Sequence, residues 1–177
     1  MKKILLISTV SSDLHHSLQK ALASLGFEVH VVDFLDHDVL KIGHPVHRAV
    51  SKMPEMIRDH LQNKAFKQID EKILEAAGWV EPDYIFVSKA KNIDITVLEQ
   101  LRKIAPTLNW YPNGLGNIYS IRKLIRHYDY FFNVDADVVE LMKKEGHANV
   151  YYLPLTGNIE DRVHEAMHIV DNTYRKI

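Results

Sequence analysis

Residues 1–33 restrict the fold more than any other part of the chain. Ile4 to Ile7 is a short unbroken apolar run, the pattern of a strand covered on both faces. The polar stretch Ser8-Thr9-Val10-Ser11-Ser12-Asp13 leads into a helix that keeps Leu14, Leu18, Ala21, Leu22 and Leu25 on one face. Gly26 stands where a left-handed residue ends a helix at little steric cost. Phe27 to Val32 reads as a second strand, and Asp33 ends it. A strand, a helix and a strand at this spacing form a parallel pair joined by a crossover. Met1-Lys2-Lys3 before the first run looks like a signal-peptide start. The run is too short and no small-residue cleavage site follows, so a buried strand is the better reading.

The rest of the chain repeats the alternation. Residues 34–52, with His37, Gly43, His44, Pro45 and His47, read as a loop or broken helix. Pro54 suits the first turn of a long helix from Glu55 to Ala77, ended at Gly78. Tyr84 to Val87 is a third strand, Thr96 to Ile104 a helix, and Leu108 to Tyr111 a fourth strand broken by Pro112. The loop Asn113 to Asn117 precedes a helix around Tyr119 to Arg126. Tyr130 to Val134 is a fifth strand, Ala136 to Glu145 a helix ended by Gly146, and Val150 to Leu153 a sixth strand. The last segment keeps Ile159, Val163, Ala166, Met167, Val170 and Tyr174 on one stripe. The pattern specifies an α/β fold, a three-layer Rossmann-like sandwich with a mainly parallel sheet of about six strands and a C-terminal closing helix. A length of 177 residues suits one domain over 1–177.

Charge and composition exclude several classes. With 22 basic against 23 acidic residues, the chain lacks the basic footprint of a nucleic-acid binder. Its nearest basic cluster, Arg122, Lys123, Arg126 and His127, reads as a solvated helix face. No apolar run approaches the roughly 20 residues needed to span a bilayer. The absence of cysteine removes disulfides and thiolate metal sites, and fits a cytoplasmic, reducing setting. The histidines are scattered. His15 and His16 face different ways on a helix, His44 and His47 lack a nearby carboxylate, and His164 and His168 lack a third ligand, so no metal is expected.

Ligands on parallel sheets bind beyond the carboxyl ends of the strands, near the switch in strand order. Ser8, Thr9, Ser11 and Ser12 lie in the first such loop, where hydroxyls at a helix N-terminus favour an anion. The competing role is capping of that helix by Ser12 or Asp13, which the absence of glycine favours. Neither GxGxxG nor a P-loop is present, so Asp33 alone is a weak sign of a ribose site. A receiver-domain reading fails because Ser8-Thr9 and Ser88-Lys89 stand where phosphoryl-transfer acids would be needed. Lys89 and Asn92 place a cation and an amide after strand three. Tyr111 and Asn113 place an aromatic ring and an amide after strand four. That set suits a sugar or a phosphorylated ligand. Alternatively, Trp110 and Tyr111 pack against helices on opposite faces of the sheet.

Four spaced segments carry a resemblance: Asp83-Tyr84-Ile85-Phe86-Val87-Ser88-Lys89, Asn109-Trp110-Tyr111-Pro112-Asn113, Tyr128-Asp129-Tyr130-Phe131-Phe132 and Asn149-Val150-Tyr151-Tyr152-Leu153-Pro154-Leu155. Together they make residues 1–158 resemble the N-terminal domain of CgeB-like glycosyltransferases, GT-B enzymes related to spore-maturation proteins. Asn113 and Gly114 replace acids common in that family, so no carboxylate role is expected there.

The resemblance implies an acceptor-side half whose donor domain is lacking, with residues 159–177 closing back on it and no essential metal or cofactor. The half is not expected to turn over alone. The expected ligand is a sugar or nucleotide sugar held by Ser8, Thr9, Ser11, Ser12, Lys89, Asn92, Tyr111 and Asn113. Lys89 would face a phosphate, Tyr111 would stack, and Asn113 would bond hydroxyls. The other readings are a self-associating module that forms a homodimer through its cleft-facing surface, and a flavodoxin-like nucleotide or flavin binder.

Overall fold

The computed structural model describes residues 1–34, 55–89, 93–119, 121–155 and 158–174; for 55–65, 115 and 174 only the backbone is described. The order is β1 (Lys3–Ser8), α1 (Asp13–Ser24), β2 (Glu28–Asp33), α2 (Glu55–Val80), β3 (Tyr84–Ser88), α3 (Ile95–Ile104) and β4 (Thr107–Tyr111). There follow the single turn α4 (Leu115–Ile118), a 3₁₀ helix (Arg122–His127), β5 (Tyr130–Asn133), α5 (Ala136–Lys144), β6 (Val150–Tyr152) and α6 (Ile159–Tyr174). The strands form one sheet in the order β2-β1-β3-β4-β5-β6. Every pairing is parallel, from Ser8 opposite Asp33 to Asn133 opposite Tyr152. This is a Rossmann-like α/β fold.

The strand order dictates the layers. Only the step from β1 to β2 runs leftward, so a right-handed crossover puts α1 alone on one face. All later steps run rightward and send α2, α3, the 3₁₀ helix and α5 to the other face. Strand residues alternate accordingly. Leu5, Ile7, Ile85, Val87, Tyr111 and Phe131 pack under the four-helix face. Ile4, Leu6, Tyr84, Phe86, Leu108, Trp110 and Phe132 face the α1 side. α1 cannot cover β3, β4 and β5 as well, and α6 does so with Val163, Ala166, Met167 and Val170, all buried. α1 and α6 pack along one another. At the amino edge, the Tyr84 hydroxyl donates to Asp171 Oδ1 at 2.9 Å and accepts from Lys2 Nζ at 3.3 Å, tying α6 to the sheet.

Trp110 and Tyr111 pack on opposite faces, and both are buried. Gly26 and Gly146, at φ 84° and 93°, take the left-handed conformation expected of helix stops. Gly78 does not stop α2, which continues through it to Val80. Val80 is buried and anchors the extra turn, outweighing the cost of a mid-helix glycine, roughly 1 kcal/mol. Glu81, at φ 50°, makes the stop instead, just before Pro82. Past β4, the helix expected around Tyr119 to Arg126 is replaced by α4 and the 3₁₀ helix, with Ile118 and Ile121 both buried across the break. The readings for residues 35–52 and for Pro54 lie outside the described residues.

Candidate functional site

The sheet's carboxyl edge has its switch between β1 and β3, because the chain leaves β1 to one side for β2 and returns to the other for β3. Beside that point lies a cleft of about 310 Å³ lined by Asp13, Leu14, Ser17, Lys89, Pro112, Leu155 and Ile159. It joins the start of α1, the mouths of β3 and β4, and the entry to α6. Lys89 is exposed and left-handed at φ 65°, its N–H donating to Trp110 O at 3.3 Å. For a non-glycine residue this conformation stores strain of order 1 kcal/mol. Lys89→Gly is therefore expected to raise stability by about 1 kcal/mol in urea unfolding while removing the cation. Lys89→Ala removes the same charge and leaves the strain in place.

The first loop divides its hydroxyls between two uses. Ser12 caps α1, its Oγ accepting from His15 N at 3.2 Å and donating to Thr9 O at 2.8 Å. Ser8 is buried, with its Oγ 2.6 Å from His15 Nδ1. Which of the two donates is set by the tautomer of the imidazole. Burial pushes His15 below its ordinary value, and His16 adds to the effect against the pull of Asp33. The hydroxyls of Thr9 and Ser11 have no hydrogen-bond partner among the described residues. They are the two left open toward solvent. Ser11 is exposed and Thr9 half-buried.

At the mouth of β4, Tyr111 is buried against Phe131, with its hydroxyl donating to Asn117 O at 3.4 Å. The ring therefore lies in the core layer and not in the cleft. Asn113 is half-buried beside it. Asn92 lies outside the described residues. Asn133, buried at the end of β5, was not foreseen. Its Nδ2 donates to Tyr111 O at 3.0 Å and Asn113 O at 3.2 Å, and its Oδ1 accepts from Asp135 N at 2.9 Å. Gly114 lies so close to Asp135 that a Cβ would meet Oδ2 at 3.1 Å. This clamp sets the loop that carries Pro112 and Asn113. Asp129 and Asn149 serve structure. Asp129 accepts from Thr107 N, Thr107 Oγ1 and Arg102, while Asn149 Nδ2 donates to Ile125 O and Tyr128 O.

Asp70 on α2 is buried, and its Oδ1 has no hydrogen-bond partner among the described residues. Burial pushes its carboxyl up to about 6; the Asp94 N–H pulls it back and the Asp94 charge raises it further. A raised carboxyl gives stability that is full below the unfolded value of 3.8 and is lost as pH rises through about 6. Asp70→Asn is expected to stabilise the domain by about 1–2 kcal/mol at pH 7.5, by about half as much at pH 5 and by almost nothing near pH 3, in chemical unfolding at all three values. His15 works the other way. Its contribution is present above the ordinary imidazole value and is lost as pH falls through the lowered one.

Among the described residues no group of three metal-ligating side chains converges, and no helix is long and apolar enough to cross a membrane. Compared with known protein families and with curated proteins, the chain matches none.

Proposed function

We propose that this domain is the acceptor-side binding half of a GT-B-like glycosyltransferase, holding a sugar or nucleotide sugar in the cleft at its carboxyl edge. One observation carries the reading. Three of the four segments that resemble CgeB-like enzymes contribute a residue near their end to the same cleft: Lys89 after β3, Pro112 after β4 and Leu155 after β6. The Asn133 clamp holds the β4 loop with Asn113 beside them. Glycosyl transfer needs a donor held against the acceptor, so a second domain would have to face this edge, and this domain alone binds without turnover.

Calorimetry with a panel of sugars and nucleotide sugars tests it. Binding by the wild type should weaken several-fold in Lys89→Ala and in Asn113→Ala, and unchanged affinity in both removes the proposed roles. The strand order β2-β1-β3-β4-β5 favours one other reading, since it is that of flavodoxin-like folds. Titration with flavin mononucleotide decides between them, because saturable quenching of flavin fluorescence would favour the second.

A further inference from the structure

Four helices that begin at this edge have one first-turn N–H already bonded by a side chain, whereas α4 starts at Gly114 without such a cap. Ser12 Oγ accepts from His15 N, Asp94 Oδ1 from Thr96 N at 2.8 Å, Asp135 Oδ1 from Asp137 N at 3.0 Å and Asn158 Oδ1 from Glu160 N at 3.1 Å. A phosphate arriving at such a terminus would have to displace a bonded side chain, in two cases a carboxylate.

The field at the edge is also unfavourable to anions. Asp13 and Asp137 stand in the first turns of α1 and α5, Glu160 and Asp161 in that of α6, and Asp33 closes β2. Against them, among the described residues, stand Lys89 and Lys123. Lys123 lies near enough to Asp94 to help lower its carboxyl, which the Thr96 hydroxyl and N–H hold below its ordinary value in the first place. In the cleft itself, Lys89 shares the wall with Asp13. The remaining wall is Leu14, Pro112, Leu155 and Ile159, with the Ser17 hydroxyl. A volume of about 310 Å³ lies at the small end of ligand sites, which run from roughly 300 to 1,000 Å³.

We infer that the cleft takes one uncharged sugar ring and discriminates against its phosphate esters. The apolar C–H face of the ring lies on Leu14, Pro112, Leu155 and Ile159, and the hydroxyls reach Asp13, Ser17 and Lys89. This rests on the sugar-binding reading above and narrows it to an acceptor without phosphate.

The experiment is saturation-transfer NMR and calorimetry on the full chain, using methyl hexosides and the matching hexose 1- and 6-phosphates at low and moderate salt. The expected result is binding of at least one methyl hexoside, with its phosphate weaker by about fivefold or more at low salt. In Asp13→Asn that gap should narrow, since the substitution removes a charge and leaves the Ser12 cap in place. A phosphate that binds as tightly as its parent sugar or more tightly overturns the inference and leaves the sugar-binding reading standing. If no sugar binds in either form, the sugar-binding reading falls and the inference with it.

Discussion

Deletion of residues 159–177 is expected to abolish the cooperative thermal transition and to leave a chain that binds hydrophobic dyes. α6 buries Val163, Met167 and Val170 completely or nearly so. At about 1.5–3 kcal/mol for each large apolar side chain, these three contribute roughly 5–9 kcal/mol, comparable with the whole stability of an ordinary domain. The loss is larger on the other side of the interface, where Tyr84, Phe86, Leu108, Trp110 and Phe132 would lie open to water. No other crossover can replace the helix, because every step after β2 sends its helix to the opposite face. Met167→Asp is the point version, and should cost more than about 3 kcal/mol by burying an unpaired charge. A sigmoidal melt near the wild-type midpoint after deletion would show that α6 is an accessory.

The second large effect is at Asn133. Asn133→Leu keeps the branched shape and removes two donors and one acceptor in a fully buried place. The carbonyls of Tyr111 and Asn113 and the N–H of Asp135 all lose the bond to this side chain at once. Each unsatisfied buried group costs about 1–3 kcal/mol, part of which the loop recovers by opening to water, so a net loss of about 2–4 kcal/mol is expected. The same variant should speed amide exchange through the Asn113 to Ile118 segment and weaken any ligand that needs Asn113. Asn133→Asp is no remedy, because it keeps the acceptor for Asp135 N and turns a carboxylate toward two carbonyls. A change in stability below about 0.5 kcal/mol, with exchange unaltered, would mean that the clamp is ornamental.

Much of the fold was legible because its strands are short apolar runs separated by distinct stops. Ile4 to Ile7, Tyr84 to Val87 and Tyr130 to Phe132 each match a strand covered on both faces. The stripe from Ile159 to Val170 announced a helix with one buried face. Gly78 misled because a glycine permits a stop without compelling one, and the buried Val80 beyond it made another turn worthwhile. The segment after Asn113 misled because helical periodicity does not distinguish one helix from a turn and a 3₁₀ helix set at different angles.

The candidate site was legible by position and less so by role. Topology alone indicated the loops after β1, β3 and β4. Whether a hydroxyl or a ring in them faces solvent depends on packing. Ser12 caps its helix, Ser8 bonds His15, and Tyr111 is in the core. His15 could have been found, since it lies on the same helical stripe as Leu18 and Leu22, where a polar residue must find a partner. Asn133 carried a fainter sign, a lone amide ending an aromatic strand. Asp70 had none, because its burial depends on how α2 meets the start of α3.

The pairing of α1 with α6 has a consequence in time. α1 leaves the ribosome well before the helix it packs against, with five strands of the sheet made in between. Until α6 emerges, the strand face it covers has no partner, and the contacts that complete the core join elements far apart in sequence. Such long-range closure is slow to form. During synthesis the half-built sheet would therefore be held open with Trp110 and Phe132 exposed, a state that chaperones recognise and that slower elongation would prolong.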